Sequence, residues 1–158
     1  MRKSPSHLSE AARKNVSEAL RAVLTDGIDL YTQIKVAHWN IKGAHFASLH
    51  PLFDQFASDQ AANNDDVAER ILTLGHLAVG TARHVAKASR LPEYPQDTTK
   101  DLQHVALLVE RIGKQLEGMR GARDVAKGNE DEDTFDLLTG QIEQFEKHAW
   151  FLHATLES

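Results

Sequence analysis

Between about Phe46 and Leu74 the chain carries two separate stripes on what reads as one long helix. At ~100° per residue, with His50 set at zero, Asp54 falls near about 40°, Asp65 near about 60° and Glu69 near about 100°. These four metal-competent side chains share one stripe. Leu49, Phe53, Phe56, Val67, Ile71 and Leu74 make another, on a different side of the wheel. The ligand-type stripe therefore points away from this helix's own core. His50 and Asp54 are i, i+4 neighbours and can meet at one ion, and so can Asp65 and Glu69. The two pairs are far apart: eleven residues at ~1.5 Å each put Asp54 roughly 16 Å from Asp65. A metal–ligand bond is only about 2 Å long. One helix cannot close both pairs on one centre. A second copy can, if it packs antiparallel about a two-fold axis near Asp59 and Gln60. Ala57, Ala61 and Ala68, on or beside the stripe, suit that close approach. A contact of this kind is isologous, and the site it predicts is built between subunits. A charge stripe on one helix is ordinarily its wet side. Two pairs on one stripe, one holding a histidine, favour metal binding.

The remaining pattern is helical throughout. Ser9 is a candidate N-cap with Glu10 in the first turn. Val16, Leu20, Val23, Leu24, Ile28, Tyr31 and Ile34 carry the first helix to about Asn40. Gly43 marks a break, and the second helix starts near Phe46, with Pro51 early enough to be tolerated. Gly75, Gly80, Pro92 and Pro95 punctuate a long connection, in which Ala82 to Ser89 forms a short helix. A third long helix is expected from about Thr98 to Ala126, with Leu102, Val105, Leu108, Val109, Ile112, Leu116 and Met119 inward. Gly128 and Asn129 stop it. A fourth runs from about Asp133 to Leu156, with Phe135, Leu138, Ile142, Phe145, Ala149 and Leu152 inward. Two helices, a long crossover and two more helices describe an all-α four-helix bundle of the ferritin-like kind. Gln60, Asn63 and Asn64 sit on or near the apolar side of the second helix, against the pattern.

At 158 residues the expectation is one domain spanning 1–158, with 1–8 as a short flexible N-terminal tail. No run spans a membrane and no apolar signal segment is expected near Met1. Absence of cysteine excludes disulfides and thiolate metal sites, and is compatible with the cytoplasm. Nitrogen and oxygen ligands alone favour iron, manganese, zinc or copper. A formal charge of −5 argues against gripping nucleic acid by bulk electrostatics.

The segment from Lys35 through His38, Trp39, Asn40, Gly43, Phe46, Leu49 and His50 continues into Phe53-Asp54 and later Asp65-Asp66-Val67-Ala68-Glu69-Arg70. In residue types and spacings it resembles the signature of the Dps family, the mini-ferritins called DNA-binding proteins from starved cells. The resemblance implies a dodecameric shell of four-helix subunits with a di-iron ferroxidase centre, two Fe per site, at each two-fold interface. It implies His38, His50 and Asp54 from one subunit and Asp65 and Glu69 from its neighbour as ligands. It further implies Fe²⁺ as substrate, hydrogen peroxide as preferred oxidant with dioxygen as the other, and ferric mineral stored in the cavity. Carboxylates favour Fe³⁺ over Fe²⁺, and imidazole suits iron while leaving positions open. Ordinary ferritins instead bind metal inside one bundle through Glu-x-x-His pairs. None occurs here; Asp101-x-x-His104 comes nearest.

The family motif suggests Trp39 as an electron donor beside the site, or an aromatic packing the helix end. Lys35 either sits near the site or is a surface charge, and the surface charge is the favoured reading. Glu130, Asp131, Glu132, Asp133 and Asp136 are acids at a helix start, where the dipole favours them. Mini-ferritins build acidic three-fold pores from this region, and Asp133 and Asp136 are the candidate lining. His45, His76, His84, His104, His148 and His153 read as surface or packing histidines. Arg2 and Lys3 are the candidate DNA contacts, which would make the protein nucleoid-associated. Twelve short basic tails would act multivalently, against the repulsion of an acidic shell. The competing readings are a nucleoid-compacting protein with a secondary metal site and a purely structural helical oligomer.

Overall fold

The computed structural model describes residues 2–157. Five helices follow one another: α1 (Glu10–Asn40), α2 (Phe46–Thr73), α3 (Ala82–Ala88), α4 (Asp101–Gly128) and α5 (Glu132–Leu156). Among the described residues there is no strand, and Lys42 and Lys100 form an isolated parallel bridge. No described helix is long and apolar enough to cross a membrane. The chain is all-α and ferritin-like, with α1 against α2 and α4, and α4 against α5. The crossover from α2 to α4 carries α3, which lies on α1.

Local chemistry sets the boundaries. Ser9 Oγ accepts the Ala12 amide at 3.1 Å, satisfying one of the free donors at the start of α1. Pro51 lies in the second turn of α2, so it withholds the N–H that the Ala47 carbonyl would have met. α4 begins at Asp101 rather than Thr98. The Lys42 amide donates to the Thr99 carbonyl at 2.7 Å and the Asp101 amide to the Lys42 carbonyl at 2.9 Å, which holds 99–100 extended.

The core is one apolar cluster in which Phe53, Phe56 and Phe145 are fully buried. Two expected inward residues differ. Leu102 is 38% exposed, because it sits at the start of α4 where the bundle opens. Phe135 is half-buried under the Arg123 guanidinium, 5.4 Å from its ring centroid.

The amides that broke the α2 pattern form a polar layer across the bundle. Gln60 donates to Asn64 Oδ1 at 2.8 Å, Asn63 to Gln144 Oε1 at 3.0 Å, and Gln141 to the Asn63 carbonyl at 3.3 Å. Opposite them stands Gly27, where a Cβ would lie 2.3 Å from Asn64 Oδ1 and 2.7 Å from Gln60 Nε2. α1 and α2 approach this closely because position 27 has no side chain. Hydrogen-bonded amides cost less to bury than unpaired ones, which is why an apolar-side position accepts them, although Gln60 Oε1 is buried with no partner among the described residues.

Candidate metal centre

The turn between α1 and α2 brings the first histidine to the second. Gly43 has φ +138, a backbone that L side chains rarely adopt, and a Cβ there would fall 2.5 Å from the Asp101 carboxylate. That carboxylate accepts the His45 amide at 2.9 Å and His45 Nδ1–H at 2.8 Å. These hydrogen bonds hold the Asp101 carboxyl below the usual carboxylate range. The start of α4 thus clamps the start of α2.

On this clamp His38, near the end of α1, and His50, near the start of α2, stack with centroids 3.8 Å apart and planes inclined by 15°. Each ring donates to the other's main chain: His38 Nδ1–H to the His50 carbonyl at 2.6 Å, His50 Nδ1–H to the His38 carbonyl at 2.8 Å. A carbonyl only accepts, so both Nδ1 atoms carry the proton when the rings are neutral. Both Nε2 atoms then keep a lone pair. The His38 carbonyl is one of the last in α1, with no partner one turn on, because the Lys42 amide is turned to Thr99. Asp54 completes this end, with Oδ1 4.0 Å from His38 Nε2.

The same oxygen lies 2.7 Å from Lys35 Nζ. The Lys35 hydrogen bond and charge, with smaller help from the two histidines, hold Asp54 below the usual carboxylate range. Lys35 is thus no simple surface charge: it is one turn before His38 on α1 and reaches across to α2. Its Nζ is also 6.0 Å from the Trp39 ring centroid. Trp39 itself is 67% exposed, so it does not pack the helix end.

Asp65 and Glu69 are exposed, further along α2. Asp65 borders a groove of about 430 Å³ lined by Leu24, Ile28, Tyr31, Ala61, Ala68 and Val79. Of the three alanines expected on the approach face, Ala61 is exposed and Ala68 half-buried, but Ala57 is in the core. One chain therefore gathers His38, His50 and Asp54 and leaves Asp65 and Glu69 apart. Among the described residues no group of three or more His, Asp or Glu could by itself hold an ion.

The acidic cluster divides by burial. Asp131 is the N-cap of α5: it is buried, accepts the Thr134 amide and hydroxyl, and pairs with Arg70 at 2.8 Å. Asp133 and Asp136 are exposed. Three of the histidines read as surface or packing residues have polar partners: His45 with Asp101, His148 with Asp59 at 2.8 Å, and His104 with the Tyr94 hydroxyl. Arg2 and Lys3 are exposed, while the backbone beside them is tied down, Arg2 N to the Gly75 carbonyl at 2.9 Å and Ser4 Oγ to the Thr73 carbonyl at 2.7 Å.

Residues 17–158 match the Ferritin family, described as a ferritin-like domain. The chain is 34% identical over 155 residues to the DNA protection during starvation protein of Agrobacterium fabrum, covering 98% of this chain and 96% of that one. It is 34% identical over 147 residues to DNA protection during starvation protein 2 of Bacillus anthracis, covering 90% and 97%. Among solved structures it superposes on DpsC from Streptomyces coelicolor with a TM-score of 0.93 at 33% identity, covering 98% of this chain and 91% of that one. It also superposes on the Dps protein of Vibrio cholerae, a member of a broad superfamily of ferritin-like diiron-carboxylate proteins, with a TM-score of 0.92 at 28% identity, covering 99% and 98%.

Proposed function

Since this chain belongs to the Dps family of ferritin-like proteins, we propose that it oxidises Fe²⁺ at a centre shared by two subunits and stores the ferric product. His38, His50 and Asp54 of one subunit and Asp65 and Glu69 of its neighbour hold two irons, and the subunits assemble as a dodecameric shell. The observation that carries the reading is the crossed pair of histidine–carbonyl hydrogen bonds. Orienting a ligand's second nitrogen on a main-chain carbonyl is how proteins fix the tautomer and aim of a metal-binding imidazole. Here two adjacent imidazoles are fixed at once beside a carboxylate, and the remaining two carboxylates lie beyond reach on the same face.

The iron is substrate. Two Fe²⁺ supply two electrons to one hydrogen peroxide, the O–O bond breaks, and with two protons two waters form. No one-electron step releases hydroxyl radical. Hydrogen peroxide is the preferred oxidant in this reading and dioxygen the slower one. DNA is then protected because both reactants of radical formation are consumed, with no need for contact. Trp39, exposed beside the ligand pair, is placed to give up an electron to a stray oxidising equivalent.

Peroxide titrated into protein loaded anaerobically with Fe²⁺ should be consumed at one per two irons, without a hydroxyl-radical spin-trap signal. A ratio near one to one, with radical adduct, would refute the ferroxidase assignment.

Lys35 bears on affinity. Its ammonium occupies the Asp54 oxygen that an incoming cation needs, so binding requires its displacement. The Lys35 side chain is mostly covered while Asp54 is open to solvent, which screens the pair and keeps it weak. Lys35→Gln should therefore tighten Co²⁺ binding, used as a non-oxidising probe, by up to about fivefold. Weaker binding in that variant would mean that Lys35 orients Asp54 instead of competing for it.

A further inference from the structure

The turn that follows α2 gathers positive charge, and among the described residues neither of its arginines is paired with a carboxylate. Arg13, in the first turns of α1, brings Nη1 to 3.5 Å from the point where a Cβ on Gly75 would stand. Arg21, two turns further, donates Nε and Nη2 to the Leu77 carbonyl at 2.9 and 2.7 Å. His76 lies in sequence between Gly75 and Leu77, the two residues these arginines approach. Burial first, then the Arg21 and Arg13 charges, push its imidazole below the ordinary histidine value, with Glu18 acting weakly the other way. The ring is therefore neutral at pH 7 and adds a donor or acceptor without adding charge.

Both arginines are half-buried, and among the described residues neither pairs with a carboxylate. Glu18 is itself 3.9 Å from Lys14. Two nitrogens here, Arg13 Nε and His76 Nε2, are buried and have no hydrogen-bond partner among the described residues. A charged N–H left buried and unmet is costly, and native structures rarely tolerate it. Arg2 and Lys3 run along the rim of the same turn.

We propose that Arg13, Arg21 and His76 form an oxyanion site that takes a phosphate group. The Arg13 guanidinium can meet oxygens of a tetrahedral anion, and Arg21, whose Nε and Nη2 are held by the Leu77 carbonyl, has Nη1 and its charge to offer. An incoming phosphate oxygen gives Arg13 Nε its acceptor and His76, as the Nε2–H tautomer, a second. Because the chain as a whole is acidic, with a formal charge of −5, attraction to this point is local and does not spread over the surface. The group reaches the site either as inorganic phosphate or as part of a nucleic-acid backbone.

The test is calorimetric titration of inorganic phosphate into the intact, metal-free assembly at constant ionic strength. Saturable heat is expected, with about one phosphate per chain, while chloride gives none. Arg13→Gln combined with Arg21→Gln should abolish that heat, and His50→Ala should leave it unchanged. No saturable heat in the parent overturns the proposal without recourse to any variant, and so does undiminished heat in an assembled double variant. A gel shift with a short DNA duplex separates the sources. Duplex retention that free phosphate competes away and the double variant loses assigns the phosphate to the nucleic acid. Phosphate binding without duplex retention assigns it to the free anion.

Discussion

Mixing two dead variants should restore iron oxidation. His50→Ala removes one imidazole and Glu69→Ala removes a carboxylate from the opposite half of the proposed centre. Each alone should lower the rate of peroxide-driven Fe²⁺ oxidation by at least about 10–100-fold, the loss seen even when only a supporting group of a metal site is removed. Neither residue lies in the core: His50 is half-buried at the start of α2 and Glu69 is exposed, so assembly should survive. In a dimer of one variant with the other, one of the two centres receives both lesions and the other receives none. Random one-to-one assembly makes about half the dimers mixed, so about a quarter of all centres should be intact. If the ligands instead met within one chain, mixing would restore nothing. Stopped-flow absorbance of the ferric product, read on co-refolded and separately refolded samples, distinguishes the two outcomes. Unmixed variants that oxidise iron like the parent would remove the ligand assignment altogether.

The reach of the sequence in this protein follows the range of the interactions. Helix α2 and its two stripes were legible because an α-helix converts spacing into angle without help from the rest of the chain. The same holds for the Ser9 cap, a bond between residues three apart. His38 was not accessible in that way. Its place beside His50 depends on the 41–45 turn, and that turn is held by Asp101 from 56 residues away. Only the family resemblance supplied it. Spacing could not decide between the two readings of Lys35 for a related reason: its partner Asp54 is on the next helix, 19 residues on, and no periodicity links two helices. The amides Gln60, Asn63 and Asn64 looked like errors in an apolar stripe. Gln60 and Asn64 meet each other opposite Gly27 of α1, and the partners of Asn63, Gln141 and Gln144, lie on α5, so the three make sense only once the helices are packed. Ala57 fell near the approach stripe on the wheel but is buried in the core, because a small residue at the border of two faces fits either.

The acidic start of α5 gives the second large effect, since it holds residues of opposite character. Asp131 has its side chain almost fully buried against Arg70, whose own side chain is 16% exposed. Arg70 Nε also donates to the Thr134 hydroxyl at 2.8 Å, and that hydroxyl donates to Asp131 Oδ2 at 2.6 Å. These three residues lock the end of α2 to the start of α5 in a closed ring of hydrogen bonds. Asp131→Ala removes the helix cap and leaves a guanidinium without its anion. Breaking a buried pair on one side costs about 3–5 kcal/mol, and the partial exposure of Arg70 puts this case at the low end. At about 3 kcal/mol the melting temperature of the subunit should fall by roughly 6–12 °C. Asp131→Asn keeps an acceptor for the Thr134 amide and loses only the charge, so it should fall between the parent and the alanine variant. Asp133→Asn and Asp136→Asn remove exposed charges and should leave stability within about 0.5 kcal/mol. If these two line an entry pore, their signature is kinetic: the double variant should take up Fe²⁺ more slowly, most clearly at low salt, where a negative funnel acts at longest range. Thermal melts of all four variants beside uptake rates at two ionic strengths separate the roles. A stable Asp131→Ala protein would show that Arg70 finds another partner. A double variant with unchanged, salt-insensitive uptake would show that iron enters elsewhere.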